Sequence, residues 1–218
     1  MAYTGNVVAG GPADVRELPD VTIAKVEVGD FGNNAYLLRC RTTGEGLLID
    51  AAAEPDRLLD LIGDTPLRTI VTTHRHRDHW QALEAVAAAT GAQVIAHPLD
   101  APELPVPVTA TVEHGDRIAL GALSLEVIHL RGHTPGSIAL LYSGGETEKH
   151  LFTGDSLFPG GVGNTWGDPE AFNRLYTDVV ERVFDRLPDE TWVYPGHGRD
   201  TTLGAERPAL PEWKARGW

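Results

Sequence analysis

Apolar and polar positions alternate along the chain between short strand-like runs and helical spacings. Val21, Ile23, Val26 and Val28, set against Thr22, Lys25 and Glu27, give the alternation of a half-buried strand. Residues 34–41 and 46–50 are apolar runs separated by Thr43-Gly44-Glu45-Gly46, the sequence of a hairpin turn. Residues 55–62 have helical spacing, with Pro55 at the start, where its missing N–H does no harm. The β-branched run 68–73 predicts a buried strand, and the alanine-rich run 80–90, stopped by Gly91, predicts a helix. Further strands are expected at 94–96, 124–128, 138–142, 150–153 and 191–194, with a long helix over 169–186 ended by Pro188. Strands in both halves with helices outside them imply layered α/β packing. Periodicity alone leaves both a doubly wound sheet and a two-sheet sandwich open.

No internal repeat, low-complexity tract or linker interrupts this pattern, so one domain is expected over 1–218. Residues 1–20 read as an N-terminal extension and 206–218 as a C-terminal tail, whose Trp213 and Trp218 would pack on the domain or on a partner subunit. The run 98–107, with four prolines, reads as a rigid surface connection.

Charge narrows the partners. The net charge of -13 repels phosphate backbones, and the eighteen Lys and Arg residues are scattered along the sequence, so nucleic acid is not an expected partner. One cysteine, Cys40, excludes an intramolecular disulfide and reads as a buried apolar residue. The first thirty residues hold no apolar stretch of signal-peptide length, and nothing later approaches the roughly 20 apolar residues that cross a bilayer. The expectation is a cytoplasmic protein acting on a small molecule, with no membrane partner; its oligomeric state stays open.

The chemistry is concentrated in Thr73-His74-Arg75-His76-Arg77-Asp78-His79-Trp80, between a buried strand and a helix. Three imidazoles and a carboxylate in six residues are costly to hold against a core unless something binds them. Neutral imidazole and carboxylate are ligands that zinc, iron and manganese accept. His74 and His76 project to one side of an extended segment, Asp78 keeps their phase, and His79 breaks it. One metal can therefore be bound by His74 and His76 and another approached by Asp78 and His79. The bland alternative is a charged turn with Asp78 capping a helix. Three more polar residues stand in glycine-bearing turns at strand ends: His133 in Gly132-His133-Thr134-Pro135-Gly136, Asp155 in Gly154-Asp155-Ser156, and His197 in Pro195-Gly196-His197-Gly198. Taken singly each reads as a turn residue; together with the loop cluster they read as ligands.

On these motifs the chain resembles the metallo-β-lactamase-fold hydrolase superfamily, with H-x-H-x-D-H followed by His, Asp and His, over about residues 21 to 206. The resemblance implies a four-layer αββα sandwich. It also implies two divalent metal ions, zinc first with iron or manganese as alternatives. One ion would be held by His74, His76 and His133, the other by Asp78, His79 and His197, with Asp155 bridging. Asp50 matches the family's strand-end aspartate and is a candidate partner for a ligand histidine, an ordinary strand-end acid being the alternative.

Within the superfamily the likeness is to short, single-domain glyoxalase II-like thioester hydrolases, which implies attack on an acyl-thioester by a metal-bridging hydroxide, with Asp78 orienting it. Asn164 stands where glutathione-using members carry a basic anchor, and the longer C-terminal helical region is not seen, though Lys214 and Arg216 are basic. The thiol carrier is thus open. Rival readings are a mononuclear iron persulfide dioxygenase, whose members usually show Pro-Ala-His where this chain has Pro195-Gly196-His197, a lactonase, and a metal-binding protein without turnover. Antibiotic hydrolysis fits less well. Trp166 and Asn164 on one side, and Phe31 and Asn33 on the other, are candidate substrate contacts, with loop packing as the alternative for the aromatics and Asn33. His97, His114, His129 and His150 read as surface or structural, His97 being the one placed to face a cleft.

Overall fold

The computed structural model describes residues 2–144 and 148–217. Trp218, half of the expected aromatic tail, lies outside them.

The first seven strands in chain order build one sheet: β1 (Asp14–Glu17), β2 (Val21–Val28), β3 (Asn33–Cys40), β4 (Gly46–Ile49), β5 (Leu67–Val71), β6 (Gln93–Ala96) and β7 (Ala110–Thr111). Pairing is antiparallel from β1 to β4 and parallel from β4 to β7. The parallel half needs crossovers, which are supplied by helices α1 (Pro55–Ile62) and α2 (Leu83–Thr90). The second sheet uses β8 (Arg117–Leu120), β9 (Leu123–His129), β10 (Ile138–Ser143) and β11 (Lys149–Gly154). After the small hairpin β12 (Leu157–Phe158) and β13 (Gly161–Val162) comes helix α3 (Pro169–Val179). It carries the chain over to β14 (Trp192–Pro195), parallel to β11, and β15 (Thr201–Thr202) closes that edge.

Three apolar clusters define four layers. Val21, Ile23, Leu38, Leu47 and Ile49 of the first sheet meet Leu125, Val127, Leu140 and Phe152 of the second in the central core. On its outer face the first sheet packs Val26, Leu48 and Ile70 against Leu58 and Ile62 of α1 and Leu83 and Val86 of α2. The second sheet packs Ile128, Leu141 and Leu151 against Phe172, Leu175 and Val179 of α3. This is the αββα sandwich, and it settles the choice that periodicity left open.

Local departures have local causes. Within the N-terminal extension, β1 pairs along β2, and Tyr3 donates its hydroxyl to Asp200 at 2.6 Å. The alanine-rich helix begins at Leu83 and not at Trp80, because Arg77–His79 forms a separate 3-10 turn and the Trp80 indole N–H donates to the Arg75 carbonyl at 2.8 Å. The long helix keeps α-helical bonding only to Val179 and widens into a π-turn over Val180–Phe184. In the tail, Trp213 on α5 (Leu210–Arg216), which follows the short α4 (Leu203–Glu206), is buried against Phe184 of its own domain.

Lys25 departs most. Its place in β2 reads as outward and polar, yet the strand is buried on both faces and Lys25 is fully buried between the sheets. Its ammonium pairs with Asp200 at 2.6 Å and donates to the carbonyls of Gly5 and Gly198, each at 2.8 Å. Burial lowers the lysine pKa and the Asp200 charge opposes that change. The pair thus ties the core to the loop that follows β14.

Candidate metal centre

The polar cluster forms where strand ends from both sheets meet. The chain leaving β5 carries His74, His76, Asp78 and His79, the β9–β10 turn carries His133, the residue after β11 is Asp155, and the chain leaving β14 carries His197. All seven expected positions come together. His74, His76 and His133 form one group, Asp78, His79 and His197 another, and Asp155 groups with His74 and His79 between them, donor atoms in each group lying within 4.8 Å of one another. Asp155 reaches His79 Nε2 at 3.3 Å through Oδ1, and His197 Nε2 and His133 Nε2 at 3.5 and 3.6 Å through Oδ2.

The ring nitrogens turned away from the centre are accounted for. Nδ1 of His79 donates to Asp50 Oδ2 at 2.9 Å, Nδ1 of His133 to the Asn164 carbonyl at 2.9 Å, and Nδ1 of His197 to the Phe31 carbonyl at 3.1 Å. Nδ1 of His74 lies 3.0 Å from the Thr73 hydroxyl, which itself donates to Asp50. In each of these rings the proton is drawn outward and Nε2 is left to the centre. There ring nitrogens crowd one another: His76 Nδ1 sits 2.9 Å from His133 Nε2, and His79 Nε2 sits 3.2 Å from His197 Nε2, with the Asn33 amide nitrogen 3.4 Å from each of the latter two. His74 Nε2 and Asp155 Oδ1 are buried with no hydrogen-bond partner. Buried orphan acceptors and imidazole nitrogens packed this closely around a carboxylate are what divalent cations relieve, so the residues fit the ions that the donor set implies.

Electrostatics divides the cluster in two. Burial, reinforced by neighbouring imidazoles, pushes His74 well below the usual range and His133 down to about 4, and it lowers His76 as well. For His79 burial also opposes the proton, but Asp155 and Asp50 outweigh it and raise the pKa to about 10. His197 is raised to about 9 for the same reason, by Asp155 and Asp78 against burial. The His197 and Asn33 hydrogen bonds hold Asp78 well below the normal carboxylate range.

Two structural devices keep this geometry. Asp50, at the end of β4 with φ 57°, accepts the Thr73 N–H at 2.7 Å and the Thr73 hydroxyl at 2.8 Å besides His79. Asp100, which is fully buried, accepts the Arg75 N–H at 3.0 Å, the Gly136 N–H at 2.8 Å and the Thr134 hydroxyl at 2.5 Å, joining the loop of His74 and His76 to the turn of His133. Sequence reasoning passed over Asp100; its signal was an acid just beyond the end of a strand, within a run read only for its prolines. Gly196 answers to space: a Cβ there would lie 2.2 Å from Asp155 Oδ1 and 2.8 Å from His79 Cε1.

The expected substrate contacts separate. Phe31 and Trp166, 72% and 63% exposed, line an open cavity of about 850 Å³ with Arg77, Asp78, Gln81, Asn164 and His197. Trp166 also stacks on His133 at 5.2 Å and meets His76 edge-on at 5.2 Å. Asn33 does not line the cleft. It is fully buried and donates to Asp78 Oδ2 at 2.9 Å, so it braces the centre from beneath. His97 does not line the cleft either; its ring lies 4.0 Å from that of His129, tilted by 31°, and it accepts the Leu99 N–H. Arg216 donates to the Gly160 carbonyl at 2.8 Å, and Lys214 lies 6.0 Å over the Tyr176 ring; neither lines the cleft. His150 is structural, its Nδ1 2.9 Å from the Tyr194 hydroxyl, and Cys40 is buried in the core.

An αββα sandwich with imidazoles and carboxylates gathered at the strand ends defines a class of metal-dependent proteins. The chain belongs to the metallo-beta-lactamase superfamily, whose profile matches residues 28–197. Its relatives give finer bearings. An uncharacterized protein of Aquifex aeolicus is 31% identical over 206 residues, 87% of this chain and 95% of its own length. The hydroxyacylglutathione hydrolase of Polaromonas sp. is 38% identical over 170 residues, 77% of this chain but 62% of its own length. Among solved structures, ETHE1 from Myxococcus xanthus is 30% identical with a TM-score of 0.76, covering 88% of this chain and 84% of its own. TTHA1623 in a di-iron-bound form is 35% identical with a TM-score of 0.70, covering 84% of this chain and 96% of its own. Among the described residues, no helix is long and apolar enough to cross a membrane.

Proposed function

We propose that the protein is a binuclear metal-dependent hydrolase acting on acyl-thioesters. The observation that carries this reading is the pair of donor groups, His74, His76, His133 and Asp78, His79, His197, meeting at Asp155. The first group would hold one ion and the second the other, with Asp155 shared. Zinc is the proposed metal, and the di-iron form of TTHA1623 makes iron the alternative to test. Bound there, two divalent ions supply hydroxide near neutral pH and polarise a carbonyl.

The chain's own residues set the rest. Asp78 is held ionised by His197 and then by the Asn33 amide, too weak a base to keep a proton, so its role is to accept a hydrogen bond and orient the attacking oxygen. The Nδ1 protons of His79, His133 and His197 are engaged by Asp50, Asn164 and Phe31, which orient the three rings towards the centre. Phe31 and Trp166 flank the cleft as exposed aromatic faces, suited to cover an apolar arm and exclude water beside it. Asn164 spends its side chain on the Trp166 N–H at 2.7 Å and brings no charge to the cleft, which favours a thiol other than glutathione.

A mononuclear dioxygenase would leave the second donor group without purpose. The absence of room for a methyl at Gly196 also speaks against the Pro-Ala-His geometry of that reading. The test is elemental analysis of protein purified from cells grown with iron and zinc, followed by a panel of acyl-thioesters. About two equivalents per chain with thioester turnover supports the proposal; a single iron with no thioester turnover overturns it.

A further inference from the structure

Beside the candidate metal centre lies a second cavity, of about 490 Å³, which shares Trp166 with the open cleft. It is lined by His76 and His133 of the centre, by the apolar Leu99, Pro135, Trp166 and Ala171, and by Arg75, Arg131 and Arg174. In a chain of net charge -13, three guanidinium groups and a single carboxylate, Asp168, line this one cavity. The Asp168 carboxylate is already engaged, accepting the Glu170 and Ala171 N–H groups at the start of α3.

The arginines are held in different ways. Arg131 is fixed by Asp178, which accepts from its Nε at 2.8 Å and Nη2 at 2.7 Å, while 46% of the Arg131 side chain stays exposed. Arg182 shares Asp178 at 3.4 Å, so this one carboxylate does not cancel both cations. Arg75 and Arg174 meet Glu103 and Glu170 only at 3.9 and 3.6 Å, with both acids largely exposed. Exposed pairs at such distances are weak and exchange readily for a better-placed anion. The three arginines come from the β5–α2 loop, the β9–β10 turn and α3, which is why they read as scattered in the sequence.

We infer that this cavity takes one arm of the substrate and that the arm ends in a carboxylate, held by Arg75, Arg131 and Arg174 while the reacting carbonyl lies at the metal centre. The inference rests on the thioesterase reading for its reaction but not for its binding. A planar carboxylate matches the guanidinium fork, and about 490 Å³ holds an arm of a few carbons. The carboxylate can belong to the acyl side or to the thiol side; the chemistry recognised is the same.

The experiment compares three thioesters on the metal-loaded enzyme: S-pentanoyl-N-acetylcysteamine, its S-glutaryl counterpart, and the pentanoyl ester of 3-mercaptopropionate. One of the two charged esters is expected to exceed the neutral one in kcat/KM by about tenfold or more at low salt, and to lose that lead as salt rises. The preference should collapse towards unity in the double variant Arg75→Gln/Arg174→Gln and persist in Arg41→Gln/Arg68→Gln, which removes equal charge elsewhere. Arg131 is left in place, because its loss would leave the buried Asp178 with only the longer Arg182 pair. No preference for either charged ester, or a preference that survives the double variant, overturns the inference.

If no ester is hydrolysed, the thioesterase reading falls and binding alone decides. Equilibrium dialysis of the non-hydrolysable thioether 5-(2-acetamidoethylthio)pentanoate against its methyl ester should show tighter binding of the acid, weakened about tenfold in the double variant. Equal binding of acid and ester, or no effect of the substitutions, refutes the cavity assignment.

Discussion

His79 donates its Nδ1 proton to Asp50 at 2.9 Å, and this one bond commits the opposite nitrogen to the centre, where it lies 3.3 Å from Asp155 and 3.2 Å from His197. Asp50 also holds the Thr73 N–H and hydroxyl, so it orients an imidazole and pins the start of the loop that bears four of the proposed ligands. Asp50→Asn keeps the shape but offers one acceptor oxygen for three donors. Metal affinity at the Asp78, His79, His197 group is expected to fall about 10–100-fold, measured by competition with a chromogenic chelator, with a smaller loss at the other group.

Among the described residues, Asp155 is the carboxylate grouped with a histidine from each of the two donor groups. Asp155→Ala should reduce bound metal from about two equivalents towards one or none by elemental analysis. Retention of two equivalents would remove Asp155 from the bridging role.

Asp100 touches none of the proposed ligand side chains, yet it joins the loops that carry them. Replacement by Asn leaves one of its three donors badly served in a buried site, at a cost of about 1–3 kcal/mol in unfolding free energy. Affinity for the metal of His74, His76 and His133 should weaken alongside, while Asp78, His79 and His197 are less affected. A urea titration and a metal competition assay on the same variant separate the two effects.

Gly196→Ala places a methyl carbon about 2.2 Å from Asp155 Oδ1, so the carboxylate must move. The expected result is a folded protein, normal by circular dichroism, with metal content reduced and thioester turnover lost. Full metal occupancy with activity intact would show that the carboxylate position is more forgiving than the geometry indicates.

His150 sets a pH dependence away from the centre. Burial, and then the Arg16 charge, lower its pKa to about 4. An unfolded histidine takes up its proton near pH 6.5. Between about 6.5 and 4 the unfolded state therefore binds a proton that the folded state refuses, and stability falls as the solution is acidified through that window. His150→Gln keeps a polar partner for Tyr194 without a titrating group and should flatten this part of a plot of urea midpoint against pH. An unchanged slope would assign the acid sensitivity elsewhere.

The proposed ligands were legible because each stands in a local signature: a dense polar loop between apolar runs, or a glycine turn at a strand end. Four layers were legible once the resemblance was added, since periodicity gives strand faces but not their stacking. What escaped depends on partners far along the chain. Lys25 reads as solvent-facing because nothing near it announces Asp200, 175 residues away. Asn33 reads as a loop residue at the mouth, and only the return of the β14 chain shows that it lies under Asp78. Arg75, Arg131 and Arg174 each sit among ordinary neighbours, and folding alone sets them around one cavity.

Asn34 donates its backbone N–H to the Gly196 carbonyl at 2.7 Å, and its side chain reaches the carbonyls of Pro195 and Gly198, so the loop of His197 rests on the third strand. Synthesis runs from one of these partners to the other. A growing chain possesses every member of the His74, His76, His133 group once residue 133 has emerged, but the Asp78, His79, His197 group only some sixty residues later, when His197 appears. The two halves of the centre thus differ in age. The earlier is complete in sequence while the second sheet is still unfinished, and the later must wait for the end of the sheet to dock on strands made at the beginning.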